Sequence, residues 1–140
     1  MSDSSAGESE PLPPLDVVAG RLADVSPAWA AVISARTATS SLPVSGLGRD
    51  RTIGVEAIRE GWLLHRDAAR LVAGASPDLA LLMGDWCYAA GLCDIADHGT
   101  LDDVATLATL IADVSARADE PIDALEPRWH DATTAMRQVP

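Results

Sequence analysis

The chain has 140 residues, enough for one domain with one real core. Its net charge is −11, from 21 acids against 10 bases, which leaves no general basic face for nucleic-acid phosphate or an anionic membrane. Two cysteines exclude a disulfide framework. A 48% hydrophobic content, rich in the helix formers alanine and leucine, predicts an all-α fold.

Residues 1–14 are rich in serine, glutamate and proline and have almost nothing to bury, so a disordered tail is expected there. A single helical domain is expected over residues 15–138. It opens with a helical stripe of Leu15, Val18, Ala19, Leu22 and Val25. Ser26-Pro27 then restarts the chain as an N-cap followed by proline. Trp29, Val32 and Ile33 give the second helix its apolar face. Residues 37–50 carry serine, proline and two glycines and read as a long loop.

The third helix is predicted from Thr52 to Ala73, with Gly74 as its C-terminal cap. On that helix Arg59, Arg66 and Arg70 are seven and four apart and share a face. Five of the ten arginines fall between Arg49 and Arg70. They form either intramolecular pairs or a patch for a phosphate or an acidic partner.

Ser76-Pro77 begins the most apolar stretch, which runs to Asp97 and is expected to be the buried central helix. Gly84 and Gly91 leave a groove on it that another helix can approach closely. Cys87 and Cys93 are six apart, point to roughly opposite sides and cannot bridge. The run from Leu79 to Cys93 is shorter than the roughly 20 residues of a membrane span and contains Asp85, so no span is expected. Asp85 reads either as an acid poised in a pocket by an arginine or metal, or as a structural partner of Arg66 or Arg70, or as partly exposed.

Thr100 and Asp103 form a capping-box pattern at the start of the fifth helix. Asp119-Glu120-Pro121 ends it. The last segment, Ile122 to Gln138, is kinked or divided by Pro127. Short connections predict an antiparallel bundle of five to six helices.

Chemistry-bearing patterns are sparse. His65, His98 and His130 are far apart, and no HxxxH, ExxH or CxxC spacing occurs. No nucleophile elbow or phosphate loop is present. No catalytic residue, metal or cofactor is therefore assigned. The polar acidic N-terminus has no secretory pattern, and a cytoplasmic location is expected.

Two segments carry a resemblance. Gly61-Trp62-Leu63-Leu64-His65-Arg66-Asp67 resembles the LLHDD helix of the trans-prenyltransferase (polyprenyl diphosphate synthase) family. Leu81-Leu82-Met83-Gly84-Asp85-Trp86-Cys87-Tyr88-Ala89 resembles that family's VLAGDYLLARA helix. The resemblance spans about half the chain, from Ala57 to Leu125, and implies part of the isoprenoid synthase fold. In the family's DDxxD motif, acids hold Mg²⁺ against the substrate diphosphate. Here the matching positions are Arg66, Asp67 and Arg70, so one acid of three survives. The second Asp-rich motif and the Gly-Lys-x-x-Arg element are missing.

The resemblance thus implies a shortened, non-catalytic relative, a small subunit or regulator of a full-length synthase. Family members dimerise through this region, which implies Gly84, Trp86, Tyr88 and Gly91 as an interface. The partner is then a second copy or a full-length prenyl synthase. Two other readings remain open: an unrelated homodimeric helical module, and a binder of prenyl diphosphate. In the latter, Arg59, Arg66 and Arg70 would replace metal-mediated contact by direct hydrogen bonds, and His65, Asp67 and Asp85 are the further residues assigned to the binding site.

Overall fold

A computed structural model of the chain describes residues 12–34, 42 and 46–137. The described residues form six helices: α1 Pro14–Val25, α2 Pro27–Ala30, α3 Arg49–His65, α4 Pro77–His98, α5 Leu101–Ser115 and α6 Ile122–Arg137. The only extended pairing among them is an isolated antiparallel bridge between Ile33 and Val72. The all-α bundle read from composition is the observed fold.

Three helix starts follow from local capping chemistry. The Ser26 hydroxyl accepts from the Trp29 amide at 3.2 Å, and that of Ser76 from Leu79 at 3.1 Å. Thr100 and Asp103 satisfy one another's amides reciprocally, at 3.0 and 3.1 Å. Each such cap is worth about 1 kcal/mol. The second helix is shorter than its apolar stripe suggested. It stops at Ala30, and Ile33 turns into the bridge with Val72. Residues 1–11, most of the expected tail, lie outside the described residues, as do 37–41 and 43–45 of the expected loop. The described parts of both regions enter helices early, at Pro14 and Arg49.

The central helix is α3, which corrects the assignment made from hydropathy. Every residue from Thr52 to Leu64 is buried. Helix α4, the more apolar of the two, buries only Met83, Gly84, Cys87, Gly91 and Ile95. Hydropathy misranks them because α3 carries Glu56, Arg59 and Glu60, which are buried with charged partners. One side of α3 packs Val55, Ile58 and Trp62 against Leu107, Val114, Leu125 and Trp129 of α5 and α6. The other packs Ile53, Ala57 and Leu64 against Leu15, Val18 and Leu22 of α1, Trp29 of α2, and Met83 and Cys87 of α4.

Helices α3 and α4 cross antiparallel and in very close contact. Gly54 faces Gly91 and Gly61 faces Gly84, so two heptad-spaced glycines on each helix meet. A Cβ on Gly61 would lie 2.7 Å from the Gly84 carbonyl oxygen, and one on Gly91 2.6 Å from that of Gly54. The groove read at Gly84 and Gly91 is therefore filled by α3 of the same chain.

The third helix ends eight residues earlier than its sequence predicts, at His65 rather than Ala73. Arg66 leaves helical geometry and Asp67 takes a left-handed conformation, φ 56°. Tertiary bonds replace the helical ones. The Glu60 carboxylate accepts from the amides of Arg70 and Leu71, both at 3.0 Å, and from Arg70 Nε at 2.9 Å. The Ala73 amide donates to Val32, and the Ser34 amide to Leu71. Gly74, expected as a helix cap, instead supplies a positive φ of 80° in the turn before Ser76. Pro127 neither divides nor ends the last segment, since α6 runs through it to Arg137.

Candidate functional site

The early end of α3 separates the three arginines that a longer helix would have aligned. Arg59 is buried against the paired rings of Trp62 and Trp129, with its guanidinium carbon 5.6 and 5.3 Å from their centroids, and it pairs with Glu126. Arg66 lies 5.7 Å over Trp62 and donates to the Glu120 carbonyl. Arg70 turns elsewhere, to Glu56 and Glu60, at 2.9 Å each. All three are engaged within the chain. The first two lock α3 to α6 and the α5–α6 turn; the third fastens the 66–76 segment onto α3. Arg59 Nε and Nη1 and Arg66 Nη1 are buried without a hydrogen-bond partner, so aromatic faces supply much of their contact.

His65, Asp67 and Asp85 gather where α3 ends and α4 begins. His65 Nε2 lies 3.1 Å from Asp85 Oδ1 and 3.2 Å from the Leu81 carbonyl oxygen. Both neighbours are acceptors, so Nε2 carries a proton; in the neutral ring Nδ1 is then an acceptor. Tyr88 meets the His65 ring edge-on at 5.1 Å. Burial pushes the Tyr88 hydroxyl up to about 12. Asp85 is mostly exposed, at 71% for its side chain, and its partner is His65 rather than an arginine.

Beside His65 lies a half-open depression of about 360 Å³, lined by Leu64, Asp67, Ala75, Pro77, Ala80 and Leu81 as well. A smaller one of about 190 Å³ shares Leu64, Asp67, Ala75 and Ala80 with it. Asp67 therefore stands between two lobes of one groove. No His, Cys, Asp or Glu grouping among the described residues could hold a metal ion.

The third feature is the outer side of α4. Gly84 and Gly91, read as interface residues, are buried on the inner side. Tyr88 is partly buried against the α5–α6 core. Trp86 packs edge-on to Trp29 at 6.1 Å and stays partly open. Outward lie Leu81 at 51% and Leu82 at 57% exposure, with Ala89 and Cys93. Cys93 is a free exposed thiol, while Cys87 is buried, its thiol pushed up to about 12 chiefly by burial and then by Glu60.

In length and composition α4 also reaches what a membrane-crossing helix needs. Its inner side, however, is committed to α3 with its buried Glu56, Arg59 and Glu60, a costly neighbour in hydrocarbon.

Comparison with known proteins found no match: no family model matches the chain, and no curated protein or solved structure matches it significantly. The residues that sequence reasoning missed are Glu56, Glu60 and the second glycine pair, Gly54 and Gly61. The glycine pair carried a readable signal, because its seven-residue spacing repeats that of Gly84 and Gly91.

Proposed function

We propose that this protein is a non-catalytic, polyprenyl-synthase-like chain that acts by association, as a small subunit or regulator in isoprenoid biosynthesis. The observation that carries the reading is the uncovered outer side of α4, where Leu81 and Leu82 are both exposed. Covering the exposed half of Leu81 or Leu82 returns roughly 1 kcal/mol each. Such an apolar strip is what a partner's surface covers. The two segments that resemble the prenyl synthases, at the end of α3 and along α4, pack on one another, which agrees with a common origin. The internal engagement of Arg59, Arg66 and Arg70 favours association over diphosphate binding.

A homodimeric module is the second reading, favoured by the small residues Ala89 and Cys93 on that same side. Mixing the chain with a purified full-length polyprenyl synthase separates the two. The first reading expects a complex on size exclusion and altered synthase turnover. A chain that self-associates and leaves the synthase untouched supports the second. A lone monomer that ignores the synthase sinks both.

A further inference from the structure

The polar side chains that line the groove at the α3–α4 junction are Asp67 and His65. Asp67 is exposed between its two lobes and has no ion pair or side-chain hydrogen bond among the described residues. His65 lines the larger lobe. Its Cδ2–Nε2 edge is pressed against Gly84, with Nε2 held by Asp85 and Leu81. Nδ1, on the ring edge turned away from Gly84, has no described partner and in the neutral ring carries a lone pair. The walls are aliphatic, and a volume of about 360 Å³ falls in the range of small-molecule sites. The chain's nearby positive charges, Arg66 and Arg70, donate to Glu120, Glu56 and Glu60 instead.

We propose that this groove binds a primary ammonium carried on an alkyl stem, with Asp67 pairing the head, His65 Nδ1 accepting one of its protons, and Leu64, Ala80 and Leu81 covering the stem. An ammonium offers three donors and no acceptor, which matches the Asp67 carboxylate and His65 Nδ1. A diphosphate or carboxylate head would instead meet the like charge of Asp67 here. The head can come from a free alkylamine or from a lysine side chain, whose stem has the same chemistry.

The test is a titration of the full chain, followed by amide chemical shifts, with n-hexylamine, n-hexanol, hexanoate and Nα-acetyl-lysine N-methylamide. Hexylammonium is expected to move the amides of Asp67, Ala75, Ala80 and Leu81 and to bind about tenfold more tightly than hexanol, the scale of one partly exposed ion pair. Binding of the lysine derivative as well assigns the site to a protein or peptide lysine. Binding of hexylammonium without it assigns a free amine. Asp67→Asn should remove the preference for amine over alcohol, because asparagine tolerates the left-handed backbone at this position and deletes only the charge. Ala80→Leu should block both amine and alcohol by filling the groove. Hexanoate binding as well as hexylammonium, no shift at these amides with any amine, or unchanged amine preference in Asp67→Asn would each overturn the proposal.

Discussion

Replacing Gly91 by alanine tests the α3–α4 crossing through a change that local helix chemistry favours. Alanine in place of glycine inside a helix normally stabilises by about 0.8–1.0 kcal/mol. At Gly91 the new Cβ would sit 2.6 Å from the Gly54 carbonyl oxygen, 2.6 Å from Ile58 Cγ1 and 3.1 Å from the Ile58 amide nitrogen. Ordinary contact begins near 3.4 Å, and two of these three neighbours are backbone atoms that no side-chain rotation can move.

The helices must then part locally by roughly 0.8 Å, which forfeits about a quarter to a half of the dispersion energy across the crossing. Overpacking of this kind costs about 1–3 kcal/mol. After the propensity gain, Gly91→Ala should destabilise by about 1 kcal/mol, within the range set by those two terms. A Cβ added at Gly20, inside α1, would meet nothing within 4 Å, so Gly20→Ala should stabilise by about 0.5–1 kcal/mol. Guanidinium denaturation of both variants reads the two signs directly. If Gly91→Ala stabilises as Gly20→Ala does, the close glycine crossing is wrong.

Other outcomes follow from the charged and thiol groups. Glu60→Ala leaves Arg70 with Glu56 as its one carboxylate partner and removes the acceptor for the Arg70 and Leu71 amides, so it should cost about 2–4 kcal/mol by the same denaturation measurement. Hydrogen bonds from Arg117, then Arg128, hold the Asp113 carboxyl below its ordinary value of 3.8. A carboxyl depressed on folding adds stability that is present above its unfolded value and is lost as pH falls through the folded one. Carboxyl NMR titration should therefore place the Asp113 midpoint low, and Arg117→Ala should raise it. Timed alkylation with mass spectrometry should label Cys93 quickly and Cys87 only on unfolding, since Cys93 is exposed and Cys87 is buried with its thiol raised to about 12.

Local chemistry made much of this fold readable from the residues. The caps at Ser26, Ser76 and Thr100–Asp103 are determined by neighbours in sequence, and each stands where its pattern puts it. The end of α3 was not readable. Arg66 to Ala73 contains no glycine or proline, so propensity continues the helix. What stops it is Glu60, which takes the amides of Arg70 and Leu71 from ten and eleven positions away.

The same segment hid the identity of the central helix, because hydropathy counts Glu56 and Glu60 as surface residues while Arg70 pairs with both inside. Of the expected site residues, His65 and Asp85 do come together. They do so because the glycine pairs set α3 and α4 antiparallel and close, a consequence of Gly54 and Gly61 being in register with Gly84 and Gly91.

Helix α4 is two-sided: its glycine side packs within the chain and its leucine side is exposed, the side proposed above to meet a partner. Light scattering of the purified chain, alone and with a full-length polyprenyl synthase, tests that division most directly when Leu82→Glu is run beside it. The expected result is a species heavier than the 14.6 kDa monomer that Leu82→Glu returns to monomer without loss of helicity. A monomer under both conditions, or an assembly that Leu82→Glu leaves intact, would contradict it.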